Sequence, residues 1–295
     1  MTGNPIDDLR VVLSYHFMLN ALRAGTIVAI VAGSIGYLMV QRRQSYAGHT
    51  LAVIGFPGAA GATWLGLNPA VGYFGFCLAG ALVIAGLPGS GRVSGPGGVE
   101  SAGIGTVQTF ALACGLLFVS LYRGFQSGLN NLLFGAITGV SDVQVVVLLV
   151  AGVACVVVLV LLGRPLLFAS VDPRVARASG VPVRWLNVVF LLLLGTATAG
   201  ASQITGSLLV FALLVAPASA AIRLTARPSV GVALSVLIAL VVTWAGEVVA
   251  FFSPYPIGFW VTTLGFAAFL LASGYRLLAE RGGWRRAGPP VGVTS

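Results

Sequence analysis

Long apolar stretches, separated by short polar segments, run along almost the entire chain. A helix needs about 20 predominantly apolar residues to cross the hydrocarbon core of a bilayer. Nine windows approach that length, but several are short or interrupted by glycine, so eight or ten helices stay open. The pattern predicts an all-α polytopic membrane protein with about nine transmembrane helices. The windows are 21–40, 51–67, 71–87, 104–121, 143–162, 186–201, 206–221, 230–252 and 257–277.

The composition agrees with this pattern. Of the 295 residues, 58% are hydrophobic and only 8% are charged, and the mean hydropathy is +1.01. Soluble globular domains are about 45–50% apolar and about 25% charged. No polar segment is long enough to bury a core of its own, so we expect one transmembrane domain over residues 1–295. Asp7 and Asp8 stand where a signal peptide carries positive charge, so the first span is expected to stay in the mature protein.

All sixteen basic residues are arginine, and their positions predict an orientation. Cytoplasmic loops of membrane proteins carry an excess of basic residues. Only Arg10, Arg23 and Arg123 fall on the side that holds the N-terminus, which places the C-terminus in the cytoplasm. Because the arginines flank apolar spans and form no single stripe, the net charge of +9 does not indicate nucleic-acid binding. The thirteen on the predicted cytoplasmic side are Arg42, Arg43, Arg92, Arg164, Arg174, Arg177, Arg184, Arg223, Arg227, Arg276, Arg281, Arg285 and Arg286.

A short charged segment, "SVDPRVARASGVPV" at 170–183, lies between two predicted spans on the cytoplasmic side. Asp172 followed by Pro173 is typical of a helix start, with an acidic N-cap and proline at the first helical position. Gly180 is a suitable C-cap residue, and the proline two positions later prevents continuation. The segment therefore predicts a two-turn helix.

Side-chain spacing divides this short helix into two faces. Arg174 and Arg177, three residues apart, share the polar side. Val175, Ala176 and Ala178 form a small apolar side. So short a helix is not stable alone in water, so it must pack against something. It is either a capped turn on the membrane surface or a docking helix for a cytoplasmic partner, and its central place in the arginine-rich loop favours docking.

Sequence motifs of common enzymes are absent from the chain. The glycine-rich loop "GSGRVSGPGGV" lacks the G-x-x-x-x-G-K-[ST] pattern of a phosphate-binding loop. No Ser-His, paired-Asp or H-E-x-x-H constellation is present either. The chain therefore shows no sign of hydrolysing ATP by itself, and we expect it to be non-catalytic and to bind no cofactor.

Four motifs in order carry a family resemblance. They are "LLFGAITGVSDVQ", "VDPRVARASGVPV", "GSLLVFALLVAPASAAIRL" and "SPYPIGFW". In this order the chain resembles, from about residue 17 to about 278, the ABC-3 family membrane permeases of bacterial zinc and manganese ABC importers.

The resemblance implies a type II-like importer permease in the bacterial inner membrane, used as a homodimer or as a pair of related permeases. Partners would be two ATP-binding cassette subunits and an extracytoplasmic metal-binding protein. It also implies that 170–183, with Asp172, Pro173, Arg174, Arg177 and Gly180, is the coupling helix that enters a cleft on the ATPase.

The second candidate stretch runs from 41 to 60, where Pro57 and Gly58 are expected to break the helix. Members of the family typically place an acidic residue and a histidine here, one turn apart, to coordinate the passing cation. In this sequence His49 stands where the acidic residue is expected, and Val53 stands where the histidine is expected. His49 is either a pathway ligand, better suited to Zn²⁺ than to Mn²⁺, or an ordinary hydrogen-bonding histidine.

Few other polar residues lie within the spans. Glu247 is a candidate site because a carboxylate inside a membrane is costly. It lies near the outer end of its span, where water could reach it, so a solvated structural role is the alternative. Asp142 is expected to cap its helix. Gln203 and Thr205 could line an outer vestibule.

Two other functions are compatible with the pattern. One is a permease for another cargo, cobalamin or a siderophore. The other is an ion-gradient secondary transporter that uses Glu247 and Asp142, since such proteins place ion sites at broken helices near the bilayer midplane. Neither the metal nor the composition of the dimer follows from the residues.

Overall fold

Helices make up the regular structure of the computed structural model, which describes residues 14–87, 99–122, 131–135, 139–207 and 209–284. Nine helices in this part of the chain are long, and a tenth has six residues. One further helical turn occupies 131–134. In chain order the helices are α1 (His16–Gln41), α2 (Ser45–Trp64), α3 (Pro69–Gly86), α4 (Val99–Leu121), α5 (Asp142–Val171), α6 (Pro173–Ala178), α7 (Val183–Thr205), α8 (Val210–Leu224), α9 (Pro228–Phe251) and α10 (Ile257–Trp284).

Seven of the long helices are sufficiently long and apolar to cross a membrane on their own. The two others are α8, which has only 15 residues, and α2, which is long enough but less hydrophobic. Most residues of α2 are buried, and many are glycine or alanine. A helix surrounded by protein needs small residues for close packing and not the bulky apolar side chains that face lipid. About nine transmembrane helices therefore agrees with the nine long helices described, although hydropathy alone identifies seven.

Helix α1 lies at the centre of the bundle and is buried along most of its length. It packs against α9, α8, α5 and α7. At its crossing with α9, the Ser235 hydroxyl donates a hydrogen bond of 2.7 Å to the carbonyl oxygen of Gly33. A Cβ atom at Gly33 would lie 2.7 Å from the Val236 Cα, so only glycine lets the two backbones approach this closely. The position of α1 thus depends on its small residues.

We predict that Gly33→Val destabilises the bundle by roughly 1–3 kcal/mol, the usual cost of forcing extra atoms into a packed contact. The melting temperature of the purified protein in detergent measures the effect. Gly75→Val is the matched control, because a Cβ at Gly75 in α3 would meet nothing within 4 Å. Equal melting temperatures for the two variants would show that the α1–α9 contact is not close-packed.

Prolines do not interrupt the helices where the sequence suggests that they would. Helix α2 continues through Pro57 to Trp64, so the expected break at Pro57 and Gly58 is wrong. Helix α5 likewise passes through Pro165 and ends nine residues beyond the predicted window, at Val171. The window 206–221 starts too early, because Gly206 ends α7 with a φ of +78° and α8 begins at Val210.

Contacts between distant segments identify the two ends of the bundle. At one end the Arg42 guanidinium bonds to Ser170 and Asn187. This contact joins the α1–α2 loop to the segments on either side of α6, as the arginine pattern requires. At the other end the His16 imidazole lies 3.2 Å from an Asp142 carboxylate oxygen, joining the start of α1 to the start of α5.

The expectation that Asp142 caps α5 is wrong. Ser141 has the extended backbone of an N-cap residue, and its side chain accepts a hydrogen bond from the Gln144 amide. Asp142 is the first helical residue instead. Its carboxylate accepts a hydrogen bond of 2.9 Å from the side chain of Asn20 and contacts His16. The carboxylate therefore joins two helices.

Several sequence predictions fall outside the described residues. They concern the two N-terminal aspartates, most of the glycine-rich loop and five of the arginines. These residues are Asp7, Asp8, 88–98, Arg10, Arg92, Arg123, Arg285 and Arg286.

Candidate functional site: a capped surface helix and a histidine cleft

Helix α6 begins at an acidic cap. The Asp172 carboxylate accepts hydrogen bonds of 2.9 Å from the Arg174 amide and 3.0 Å from the Val175 amide. These bonds satisfy two amides that have no partner within the helix. Pro173 occupies the first turn, where no amide donor is needed. The local sequence alone therefore determines where the helix starts.

The other end of α6 is closed by Gly180, whose φ of +80° is in the left-handed region that favours glycine. The Gly180 amide bonds to the carbonyl of Arg177 at 3.1 Å, and the Val181 amide bonds to the carbonyl of Ala176 at 3.0 Å. This pair of bonds is a Schellman motif. With both ends capped, α6 is restricted to six residues between α5 and α7.

The faces of α6 differ from the sequence expectation. Of its three small apolar side chains only Ala176 is fully buried, in the main hydrophobic core. Val175 is 50% exposed and Ala178 is exposed as well. Arg174 and Arg177 are both exposed, as expected. Among the described side chains of α6, Ala176 is thus buried in the bundle and the others are exposed.

The surface next to α6 also combines arginine with exposed apolar side chains. Arg184 and Trp185, at the start of α7, are exposed, and the Trp185 side chain is 55% accessible. An exposed aromatic beside arginines is typical of the centre of a protein interface. Together with α6 these residues form a cationic and partly apolar surface that suits a protein partner.

His49 lies in the second turn of α2 and is partly buried. Its imidazole contacts the ring of Phe211 in α8, edge to face, with 5.1 Å between the ring centroids. Val53, one turn further along α2, is also partly buried. The contact with Phe211 therefore fixes the His49 ring, which also lines the adjacent cleft.

That cleft is open and separates α2 from α4. It measures about 550 Å³ and is lined by Tyr46 and His49 on one side and by Thr106, Gln108 and Thr109 on the other. A hydrogen bond of 2.9 Å from the Thr50 hydroxyl to the Gln108 side chain fixes the separation of the two helices. The cleft supplies one imidazole, hydroxyls and an amide, and its shape leaves the imidazole accessible from outside the chain.

Pro57 and Gly58 of the same helix serve packing. Gly58 faces Gly72 of α3, and a Cβ on Gly72 would lie 2.8 Å from the Ala62 side chain. The two glycines allow the backbones of α2 and α3 to touch. The Pro-Gly step therefore marks a helix crossing.

Glu247 lies in α9 and has no exposed surface, so the expectation that water reaches it is wrong. Neither carboxyl oxygen has a hydrogen-bond partner among the described residues. The group packs against Gly25 of α1, where a Cβ would lie 2.8 Å from the Glu247 carboxyl carbon. A metal-ligand role for Glu247 stays a prediction. The structure does not bring it to the His49 cleft, since their packing partners lie on different helices.

Across the described ranges, no three His, Cys, Asp or Glu side chains gather into a possible metal site. A cation that passes His49 would therefore take its other ligands from water, from neutral oxygens or from another chain.

A cavity of about 310 Å³ lies between α3, α5 and α7 and is lined by Asn68, Tyr73, Gln144 and Gln203, among others. Gln144 donates a hydrogen bond of 2.9 Å to Gln203. Gln203 thus lines a cavity, and the location of this cavity on the outer side of the membrane stays a prediction. Thr205 does not, because it is fully buried and bonds within its own helix to Ala201.

Sequence reasoning missed the role of Arg42, which it counted only as a surface charge. The guanidinium lies over the Phe190 ring at 4.7 Å and is largely buried. Burial lowers its pKa to about 10, which still leaves it charged at neutral pH. Asn187, a fully buried amide in an otherwise apolar segment of α7, was the sequence signal for a polar contact here.

The described helices form a bundle in which seven are sufficiently long and apolar to cross a bilayer, the architecture of a polytopic membrane protein. The ABC 3 transport family model matches residues 14–276. The chain therefore belongs to the ABC-3 transport family, as its four motifs predict.

Relatives with known names agree with the family. The manganese transport system membrane protein MntC of Halalkalibacterium halodurans is 31% identical over 234 residues, which are 79% of this chain and 78% of that protein. The chelated iron transport system membrane protein YfeC of Yersinia pestis is 29% identical over 94% of this chain and 95% of its own. The solved structure of PsaBC from Streptococcus pneumoniae in complex with Fab matches with a TM-score of 0.79, at 25% identity, over 90% of this chain and 94% of that one.

Proposed function

We infer that this chain is the membrane permease subunit of an ATP-driven importer, and that its cargo is a divalent metal ion, zinc or manganese. The observation that carries this function is α6, a helix capped at both ends and anchored by a single buried alanine, with two arginines facing outward. Such a helix suits insertion into a partner. Family membership and the named functions of the relatives support the same conclusion.

A partner chain supplies the energy in this proposal. The sequence carries no phosphate-binding loop. An ATP-binding cassette subunit would bind the surface around Arg174 and Arg177, and nucleotide-driven movement of that subunit would enter the bundle through α6. In this proposal the 170–183 segment is the coupling helix, and the C-terminus lies in the cytoplasm on the same side as α6.

The second part of the proposal concerns the path of the ion. The His49 side chain lines a cleft that the described residues leave open. Helix α4, which forms one wall of this cleft, exposes large apolar side chains, including Phe110 at 72% and Leu116 at 66% exposure. A second copy of the permease placed against this face would bring two His49 side chains to one pathway, and an extracytoplasmic metal-binding protein would deliver the ion. Lipid would cover the remaining apolar surface.

One observation favours a related cargo. YfeC, named for chelated iron transport, matches over nearly the full length of the chain. An iron chelate or another siderophore-like cargo is therefore the second candidate, with the same coupling mechanism.

Reconstitution tests the proposed function. The permease is purified with the ATPase subunit that accompanies it from native membranes, and both are placed in liposomes, with the metal-binding protein and radioactive manganese or zinc outside. We expect ion uptake only with both subunits and ATP. Uptake by the permease alone, with no nucleotide hydrolysed, would overturn the proposal. Uptake of an iron chelate but of neither free ion would select the second cargo.

A further inference from the structure

The guanidinium of Arg42 makes three hydrogen bonds with neutral partners. Its Nε donates to the Gln44 side-chain oxygen at 3.2 Å, one Nη to the Ser170 hydroxyl at 3.3 Å and the other Nη to the Asn187 side-chain oxygen at 3.2 Å. Within the described part of the chain no carboxylate pairs with it. A largely buried charge without a counter-ion depends on every neutral acceptor it has. Separating Arg42 from any of these three acceptors would therefore cost free energy.

These partners belong to three different segments. Ser170 lies at the end of α5, two residues before the N-cap of α6. Asn187 lies in the first turns of α7, just after α6. Gln44 is the N-cap residue of α2 and also donates a hydrogen bond of 2.7 Å to the Asn187 oxygen. One polar cluster, formed by Arg42, Gln44, Ser170 and Asn187, therefore joins both sides of α6 to the start of α2.

The link to α2 is short and stiff. Only three residues separate α1 from α2, and Arg43 among them has a φ of +56°, an uncommon conformation for a residue other than glycine. The Arg42 amide bonds to the Leu38 carbonyl at 2.8 Å, and the Gln44 amide bonds to the Met39 carbonyl at 3.0 Å. A displacement of Gln44 must therefore move the first turn of α2, and His49 follows one turn later.

Arginine is the side chain that this geometry requires. Its planar fork presents several donors in fixed directions, so it can hold three acceptors on three segments together. Lysine has a single ammonium on a flexible stem, and it cannot reproduce this arrangement.

We propose that the Arg42–Gln44–Ser170–Asn187 cluster is a mechanical relay that transmits movement of α6 to the pathway helix α2. The proposal rests on the proposed function, because it assumes that a partner ATPase moves α6. Arg42 is a positioning residue in this account and contacts neither nucleotide nor ion. Without the relay, the ATPase would still dock on α6 and hydrolyse ATP, but α2 would not respond.

The test compares Arg42→Gln with Arg43→Gln, its exposed neighbour, in the reconstituted complex. We expect Arg42→Gln to keep ATPase association and hydrolysis while ions transported per ATP fall about tenfold, within the range by which residues in a coupling network change coupling. The number of ions transported per ATP should be intermediate for Arg42→Lys, between Arg42→Gln and the native complex. Arg43→Gln should match the native complex. A native transport ratio for Arg42→Gln would overturn the relay.

A second variant keeps the proposal falsifiable if Arg42→Gln does not fold. Asn187→Ala removes the acceptor shared by Arg42 and Gln44, so it should uncouple transport in the same way. The Arg42→Gln, Asn187→Ala double variant should lose no more coupling than one change alone, whereas additive losses would show that the two residues act separately. Normal coupling in Asn187→Ala would also reject the relay. Failure of the proposed function looks different, because the native complex itself would then not require ATP.

Discussion

Replacing Arg174 and Arg177 together by glutamate is expected to weaken ATPase binding strongly and to reduce ion uptake with it. Both side chains are exposed on α6, whose only fully buried residue among those described is Ala176. Losing a charged partner buried in an interface costs about 2–5 kcal/mol, so affinity should fall by roughly 30-fold or more. Co-purification of the two subunits and permease-stimulated ATP hydrolysis measure the loss.

The control for this double change is Arg227→Glu. Arg227 is exposed at the same end of the bundle, in the loop between α8 and α9. Its reversal changes the charge of that end without touching α6, so assembly should be close to native. If the Arg174→Glu, Arg177→Glu variant still binds the ATPase and stimulates hydrolysis, then α6 is only a surface turn. The ATPase would then couple to another part of the permease.

His49→Ala is expected to reduce metal uptake while leaving ATPase binding intact. The cleft offers one imidazole beside neutral oxygens. Since changes even to residues behind a metal ligand cost about 10–100-fold in affinity, loss of the ligand should lower uptake at limiting ion concentration at least tenfold. Initial uptake rates across a range of zinc and manganese concentrations show the change, which should be larger for zinc because imidazole suits zinc better.

Thr106→Val is the matched control for the histidine. Thr106 lines the opposite wall of the same cleft, and its side-chain hydroxyl bonds within its own helix to Ala102. This variant removes one neutral oxygen from the cleft and keeps the imidazole, so uptake should fall far less than in His49→Ala. Native uptake by His49→Ala would mean that the imidazole contributes only its edge-to-face contact with Phe211.

Local signals in the sequence predicted much of the architecture. The apolar windows correspond to the nine long helices, because burial in lipid or protein selects for apolar runs of this length. The limits of α6 follow from Asp172 and Gly180, since capping depends on side chains within a few residues of the helix ends. Proline was misleading at Pro57, because neighbouring helices accept a proline that would interrupt a helix on its own.

The candidate sites were predicted less completely. His49 was selected from its place in a family motif, but the sequence could not show that it lies in an open cleft against Phe211. Glu247 was expected near water, and packing against Gly25 removes it from solvent entirely. Both outcomes depend on which helices are neighbours. When apolar residues surround a helix on all sides, the hydrophobic periodicity of the sequence does not show which face packs against which helix.

The sequence by itself determined that this chain crosses a membrane many times, which end carries the arginines, and where a short capped helix interrupts two spans. These properties depend on composition and on contacts within one or two helical turns. Only the tertiary structure decided that Arg42 meets Ser170 and Asn187, which lie 128 and 145 residues away along the chain. The free energy of such contacts depends on packing among distant helices, so no local pattern encodes them.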